Sequence, residues 1–192
     1  MDRVSGFEAL LRWPHPKRGL VPPDQFIPIA EDIGLITLLG ERVLNRACEQ
    51  AASWPSELKI AVNVSATQDS RSEIRRGLSQ RRLMLPLDPQ RLESEITESV
   101  LLGNRAETIA TLHKLKAHGL RIALDDFGTG YSSLSYLRSF PFDKLKIDQS
   151  FVRDALVTKG SKLIVRAITG LGKSLGITTT AEGSRSLSSC TR

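Results

Sequence analysis

The chain has 192 residues, enough for one domain with a substantial core, and its 40% hydrophobic and 25% charged residues are typical of a globular protein. No stretch approaches the roughly 18 apolar residues that cross a bilayer, and the first residues lack a signal-peptide pattern, so we expect a cytoplasmic protein without a membrane segment. The net charge of +6 is spread along the chain without interleaved aromatic residues, which argues against nucleic acid as a partner.

Strand-like and helix-like segments alternate along the chain. The strand-like runs are, in chain order, residues 7–13, 59–66, 91–99, 121–127, 144–151 and 176–183. Between them, apolar residues spaced three and four apart predict helices over residues 35–51, 104–118 and 161–175. This alternation indicates one α/β domain with a parallel sheet, either an open doubly wound sheet or a (β/α) barrel, for which the chain is short.

Two further expectations concern the ends of this pattern. The last predicted helix would bury the face formed by Leu163, Ala167 and Leu171. The domain would extend over residues 1–183, because residues 184–192 are polar and serine-rich and read as a disordered tail.

Polar residues interrupt each predicted strand, most of them in its carboxyl-terminal half. They are Glu8, Asn63, Glu95, Glu98, Asp125, Asp126, Lys146 and Glu182. In parallel α/β folds this end of the strands holds the active site. A ring of acids repels itself unless it binds divalent cations, and carboxylate and amide oxygens suit Mg²⁺ or Mn²⁺ better than zinc. Two metals that share a carboxylate are a known arrangement for phosphodiester hydrolysis, so the residues favour a metal-dependent phosphoryl enzyme.

Two short motifs resemble those of other enzyme classes, but the residues that should accompany them are absent from the sequence. The letters DFG at residues 126–128 spell the kinase metal motif, yet the other kinase motifs do not accompany them. The run AITGLGKS resembles a phosphate-binding loop, but Ala167 replaces its first glycine and the run lies within a predicted helix. We therefore expect neither a kinase nor a P-loop protein.

The same runs, in the same order, resemble the motifs of the EAL domain family. The similar stretches are FEALLRW at 7–13, NVSA at 63–66, EITES at 95–99, DDFGTGYSSL at 125–134, KLKIDQSF at 144–151 and AEG at 181–183. The resemblance covers about residues 4–183. It implies a modified TIM (β/α) barrel and the activity of the family's bacterial phosphodiesterases, which hydrolyse the second messenger cyclic di-GMP (c-di-GMP) to linear pGpG.

The resemblance implies a two-metal site with Mg²⁺ or Mn²⁺. The implied ligands of the first metal are Glu8, Asn63, Glu95 and Asp125. Asp125 would bridge to a second metal, which Asp126 holds together with Glu182, directly or through water.

The remaining implied roles concern catalysis, substrate and partners. Lys146 would contact the nucleophilic water and the scissile phosphate, with Glu182 also counted among the catalytic residues, and Glu98 would anchor the loop after the paired aspartates. Arg12 would grip a phosphate, with Leu10 and Asp148 as further substrate contacts. The loop and helix at residues 131–137 are expected to form a homodimer interface.

The sequence departs from the family at both ends. Only six residues precede Phe7, so the family's first strand is missing, and Arg185 stands where the family has a second glutamate. Nothing after Ser186 resembles the family's last strand. We therefore expect an incomplete barrel without its first and last strands, whose open edges favour self-association or low stability. Alternatives to turnover stay open: binding c-di-GMP without cleaving it, binding a protein partner, or a non-functional fragment.

Overall fold

The structure, a computed structural model, describes residues 4–64, 87–98, 101, 105–128, 137 and 139–183. The chain forms two compact units. We call Ser5–Ser94 the amino-terminal unit, and Glu95–Arg192 together with Met1–Val4 the carboxyl-terminal unit.

The amino-terminal unit combines a parallel strand pair with a hairpin and two helices. Its elements are β1 (Gly6–Ala9), β2 (Trp13–His15), β3 (Gly19–Val21), α1 (Pro23–Asp32), α2 (Ile36–Ala52), β4 (Lys59–Asn63), a 3₁₀ helix (Pro89–Arg91) and the start of β5 (Leu92–Thr97). The strand order is β1-β4-β5, with β1 parallel to β4. This parallel pairing places Glu8 of β1 level with Ala61 of β4.

The predicted single strand over residues 7–13 is wrong in extent. β1 ends at Ala9, and Trp13 begins a separate antiparallel pair of β2 with β3. Gly19, at φ 71°, adopts the left-handed backbone that the return turn needs, which only glycine takes at little cost. Helix α1 was not predicted, because Pro28 inside it is normally a helix breaker.

Helix α2 confirms the prediction over residues 35–51 with a shift of one residue. Its buried side chains include Ile36, Ala47 and Ala51. The turn that follows is tied down by Arg91, whose guanidinium donates to the carbonyl oxygens of Ala51 at 2.8 Å and Leu58 at 2.9 Å. The first bond adds to the Trp54 N–H on a carbonyl in the last turn of α2, and the second holds the residue that precedes β4.

The carboxyl-terminal unit repeats the strand–helix pattern. Its elements are the end of β5, α3 (Arg105–Ala117), β6 (Arg121–Phe127), β7 (Lys144–Ile147), α4 (Gln149–Asp154), α5 (Lys159–Leu175) and β8 (Thr178–Ala181). The strand order is β5-β6-β7-β8, and β7 runs parallel to both β6 and β8. The centre of the core is formed by four almost fully buried side chains: Ile122, Leu124, Leu145 and Ile147.

Two predictions in this unit need correction. The strand predicted over residues 144–151 ends at Ile147, because the Asp148 carboxylate accepts the Ser150 N–H at 2.9 Å and begins α4. Helix α5 was predicted to bury Leu163, which is 64% exposed. It buries Ile168 and Gly172 instead. A side chain at position 172 would meet Thr179 of β8, so the glycine lets this stripe of the helix approach the strand closely.

An aspartate fastens the beginnings of the strands. The Asp143 carboxylate accepts the Ile122 N–H at 2.8 Å and pairs with the Lys116 ammonium at the end of α3. Its backbone carbonyl accepts the Thr178 N–H at 3.0 Å. We call this group the Asp143 brace, since it joins α3 and the first residues of β6, β7 and β8.

Some predictions concern parts of the chain about which the structure says less. No helix among the described residues is long and apolar enough to cross a membrane, and the cytoplasmic location stays a prediction. The tail at 184–192 lies outside the described residues, as does the proposed dimer element at 131–137 apart from the buried Leu137.

Candidate active site

A buried lysine lies at the centre of the polar cluster in the carboxyl-terminal unit. The Lys146 ammonium donates to Glu95 Oε2 at 2.9 Å and to Asp125 Oδ2 at 3.0 Å, and it pairs with Glu182 Oε1 at 2.9 Å. Strands β5, β6 and β7 supply Glu95, Asp125 and Lys146, and Glu182 directly follows β8. Four neighbouring strand ends thus converge on the ammonium group of Lys146, a residue that is only 8% exposed.

The surroundings of Lys146 keep it charged. Burial pushes the pKa of Lys146 down, but hydrogen bonds to Glu95 and Glu182 and the negative charge of Asp125 raise it well above its ordinary value. The lysine therefore remains a fixed positive charge throughout the physiological pH range.

A β-bulge explains how Asp125 and Asp126 lie on the same side of the strand. Neighbouring strand residues normally point to opposite faces. Here Leu124 pairs with Leu145 and Phe127 with Ile147, so β6 advances three residues while β7 advances two. Asp126 takes a left-handed backbone conformation at φ 53°, and its N–H donates to Asp125 Oδ1 at 2.9 Å. This extra residue turns the Asp126 carboxylate toward that of Asp125.

Three carboxylates of this cluster are arranged as metal ligands would be. Oxygen atoms of Asp125, Asp126 and Glu182 all lie within 4.8 Å of one another. Burial raises the pKa of Asp126, and the nearby charges of Asp125 and Asp148 raise it further. Burial likewise raises the pKa of Glu182, although its hydrogen bond to Lys146 acts in the opposite direction. Both carboxyl groups are therefore harder to ionise in the metal-free chain than they would be in water.

The other predicted site residues fall into two groups. In the carboxyl-terminal unit, Glu98 Oε1 accepts the Gly128 N–H at 2.9 Å, directly beyond the paired aspartates. Asp148, a predicted substrate contact, also caps α4, a role that its D-x-S spacing could have suggested.

In the amino-terminal unit, the Asn63 amide donates to Glu8 Oε1 at 2.7 Å. Arg12 and Leu10 are exposed, and the Arg12 guanidinium donates to the carbonyl oxygen of Leu11 at 2.8 Å. Glu8 and Asn63 thus meet within the amino-terminal unit. The carboxyl-terminal unit brings together Glu95, Asp125, Asp126, Lys146 and Glu182.

Parallel strands with acids and a lysine at their carboxyl ends define an α/β protein of the type that binds ligands at that edge. The chain belongs to the EAL domain family, whose model matches residues 1–185.

The relatives agree with this assignment. An uncharacterized signaling protein of Caulobacter vibrioides is 52% identical over 180 residues, covering 94% of this chain and 22% of the relative. The bifunctional diguanylate cyclase/cyclic di-GMP phosphodiesterase MucR of Pseudomonas aeruginosa is 42% identical over 184 residues, covering 94% of this chain and 27% of MucR. The chain thus spans about a quarter of the length of these relatives.

A solved structure supports the fold directly. The complex of the PaMucR phosphodiesterase with c-di-GMP matches with a TM-score of 0.88 and 41% identity, covering 95% of this chain and 76% of that one. The predicted fold class, an incomplete modified TIM barrel of the EAL type, is confirmed, with six strands in the sheet order among the described residues.

Proposed function

We propose that this chain is a metal-dependent phosphodiesterase that hydrolyses c-di-GMP to linear pGpG. The observation that carries the proposal is the buried Lys146, bonded to carboxylates from three strand ends beside the bulged Asp126. The family and the activity named for the relative MucR support c-di-GMP as the substrate.

The donor set fits hard divalent cations. Its atoms are carboxylate oxygens of Glu95, Asp125, Asp126 and Glu182, which are the ligands that hard divalent cations prefer. We propose Mg²⁺ or Mn²⁺ as the ions. Asp125 would serve both, with Glu95 on the first and with Asp126 and Glu182 on the second. Glu8 and Asn63 are proposed as further ligands on the resemblance alone.

Two bound divalent cations would supply hydroxide near neutral pH, because they lower the pKa of a shared water. The role of Lys146 follows from its fixed charge: its ammonium would hold the scissile phosphate and stabilise negative charge that develops on the phosphoryl oxygens. Glu98 would keep the turn after Asp126 in place through the Gly128 N–H. Arg12, Leu10 and Asp148 are proposed to contact the rest of the dinucleotide.

The test is direct product detection. Purified chain is incubated with c-di-GMP and Mn²⁺, and pGpG is followed by chromatography, with chelator as the metal-free control. Asp125→Asn keeps the size of the side chain but removes its charge, so we expect product formation to fall at least about a hundredfold. The matched control is Asp32→Asn on exposed α1, which should retain wild-type rates.

Binding measured in parallel separates the alternatives. Tight c-di-GMP binding by the wild-type chain without pGpG would replace the hydrolase with a receptor. If neither c-di-GMP binding nor pGpG is detected in the presence of Mn²⁺, both the hydrolase and the receptor proposals are contradicted.

We also propose a homodimer formed through the loop and helix at residues 131–137, on the family resemblance. Sedimentation velocity over a range of concentrations tests it. A single monomeric species at all concentrations would contradict the proposal.

A further inference from the structure

The first turn of α4 lies between the two strand ends that carry the acids. Asp148 connects β7 directly to α4, so this turn begins three residues after Lys146. Gly128 comes two residues after Asp126, and Gly183 comes directly after Glu182. Both glycines have positive φ, 106° and 65°, which L side chains rarely adopt.

Side chains of α4 press against both glycines. A Cβ atom at Gly128 would lie 2.9 Å from Cε2 of Phe151, and a Cβ at Gly183 would lie 3.0 Å from Cβ of Gln149. Real Cβ atoms essentially never show the first distance, and the second is tighter than most real Cβ contacts, so the helix occupies space that a larger residue would need at each position. The glycines thus permit a close approach as well as an unusual backbone conformation.

Both sides of the Gly128 contact are fixed. Gly128 donates its N–H to Glu98, so the peptide is held by a carboxylate as well as by the Phe151 ring. The helix that carries Phe151 is fixed at its start, because Asp148 directly follows β7 and its carboxylate accepts the Ser150 N–H. A displacement of Phe151 would therefore be transmitted to the peptide that follows the aspartates.

We propose that the first turn of α4 sets the spacing of the Asp125, Asp126 and Glu182 carboxylates. Phe151 is the positioning residue at Gly128, and Gln149 is the positioning residue at Gly183. Neither side chain needs to touch metal or substrate for this role. The inference rests on the proposed function, since it assigns the spacing to metal binding.

The first experiment replaces the ring and measures metal affinity. Phe151→Leu should weaken Mn²⁺ binding in titration calorimetry by about tenfold or more, as loss of outer-shell support does at other metal sites. The matched control is Phe142→Leu, which removes the same ring from a buried stacked pair in the same unit. It should lower thermal stability and leave Mn²⁺ affinity unchanged. Equal affinities in the two variants would overturn the proposal.

A double-mutant cycle tests the contact itself. Gly128→Ala should weaken Mn²⁺ binding, because its methyl group meets the Phe151 ring. Adding Phe151→Ala removes that collision, so the double variant should bind more tightly than the two separate losses predict. Additive losses would overturn the assigned contact. Metal is titrated without substrate, so a chain that binds Mn²⁺ but leaves c-di-GMP uncut would contradict the proposed function and leave this test intact.

Discussion

Carboxylates lie at both ends of the strands in the carboxyl-terminal unit, and their surroundings differ. At the beginnings of the strands, the Asp143 brace matches one acid with one lysine and one backbone N–H. At the carboxyl ends, Lys146 faces three carboxylates with Asp126 beside them. A single acid paired with a lysine suits a structural role, whereas several acids clustered around one lysine suit a site that binds cations.

The largest expected effect comes from removing the lysine of the acidic cluster. Lys146→Met leaves buried acids without their cation, so we expect the metal-free chain to lose about 3–5 kcal/mol of unfolding free energy at neutral pH. Urea unfolding followed by circular dichroism measures it, with and without Mn²⁺. Added Mn²⁺ should restore part of the loss. An unchanged urea midpoint in chelator would contradict the account of Lys146 as the compensating charge.

A smaller loss is expected at the opposite end of the strands. Asp143→Ala removes the acceptor of the Ile122 N–H and the partner of Lys116, which should cost about 1–3 kcal/mol. The same urea experiment measures it. Affinity for Mn²⁺ should stay at the wild-type value, because the brace lies away from the acids. A marked loss of metal binding would break the distinction between the two groups.

The smallest effect has the opposite sign. Asp126→Asn removes a charge that burial and the neighbouring acids disfavour, and asparagine tolerates the left-handed backbone, so the metal-free chain should gain about 0.5–1 kcal/mol. Mn²⁺ affinity should nevertheless fall. Calorimetry with and without metal distinguishes these changes, and destabilisation of the metal-free chain would show that Asp126 is not under repulsion.

Much of the acidic cluster could be predicted from the sequence. Glu95, Asp125, Lys146 and Glu182 interrupt separate apolar runs near their ends, and the parallel arrangement of those runs brings the ends together. The strands that carry these residues were located by the same apolar runs. The apolar runs predict the strands and the strands lie parallel, so the sequence alone was enough to predict that these four residues meet.

The parts that were missed depend on contacts between elements. The apolar residues of α5 predicted the wrong buried face, because the close approach at Gly172 can only be recognised with Thr179 in place. The brace role of Asp143 has no local signal, since its partners Ile122 and Lys116 lie 21 and 27 residues away. The bulge at Asp126 appears only in the pairing of β6 with β7.

The bulge also bears on how such a strand tolerates insertions and deletions. One residue was in effect inserted into β6, and its removal would restore an even ladder with β7. A chain lacking Asp126 should thus retain a well-paired sheet while losing one carboxylate from the cluster, a difference that unfolding and Mn²⁺ titration would reveal together. In evolution, deletion of a single codon could therefore remove a carboxylate of the site while the fold is kept.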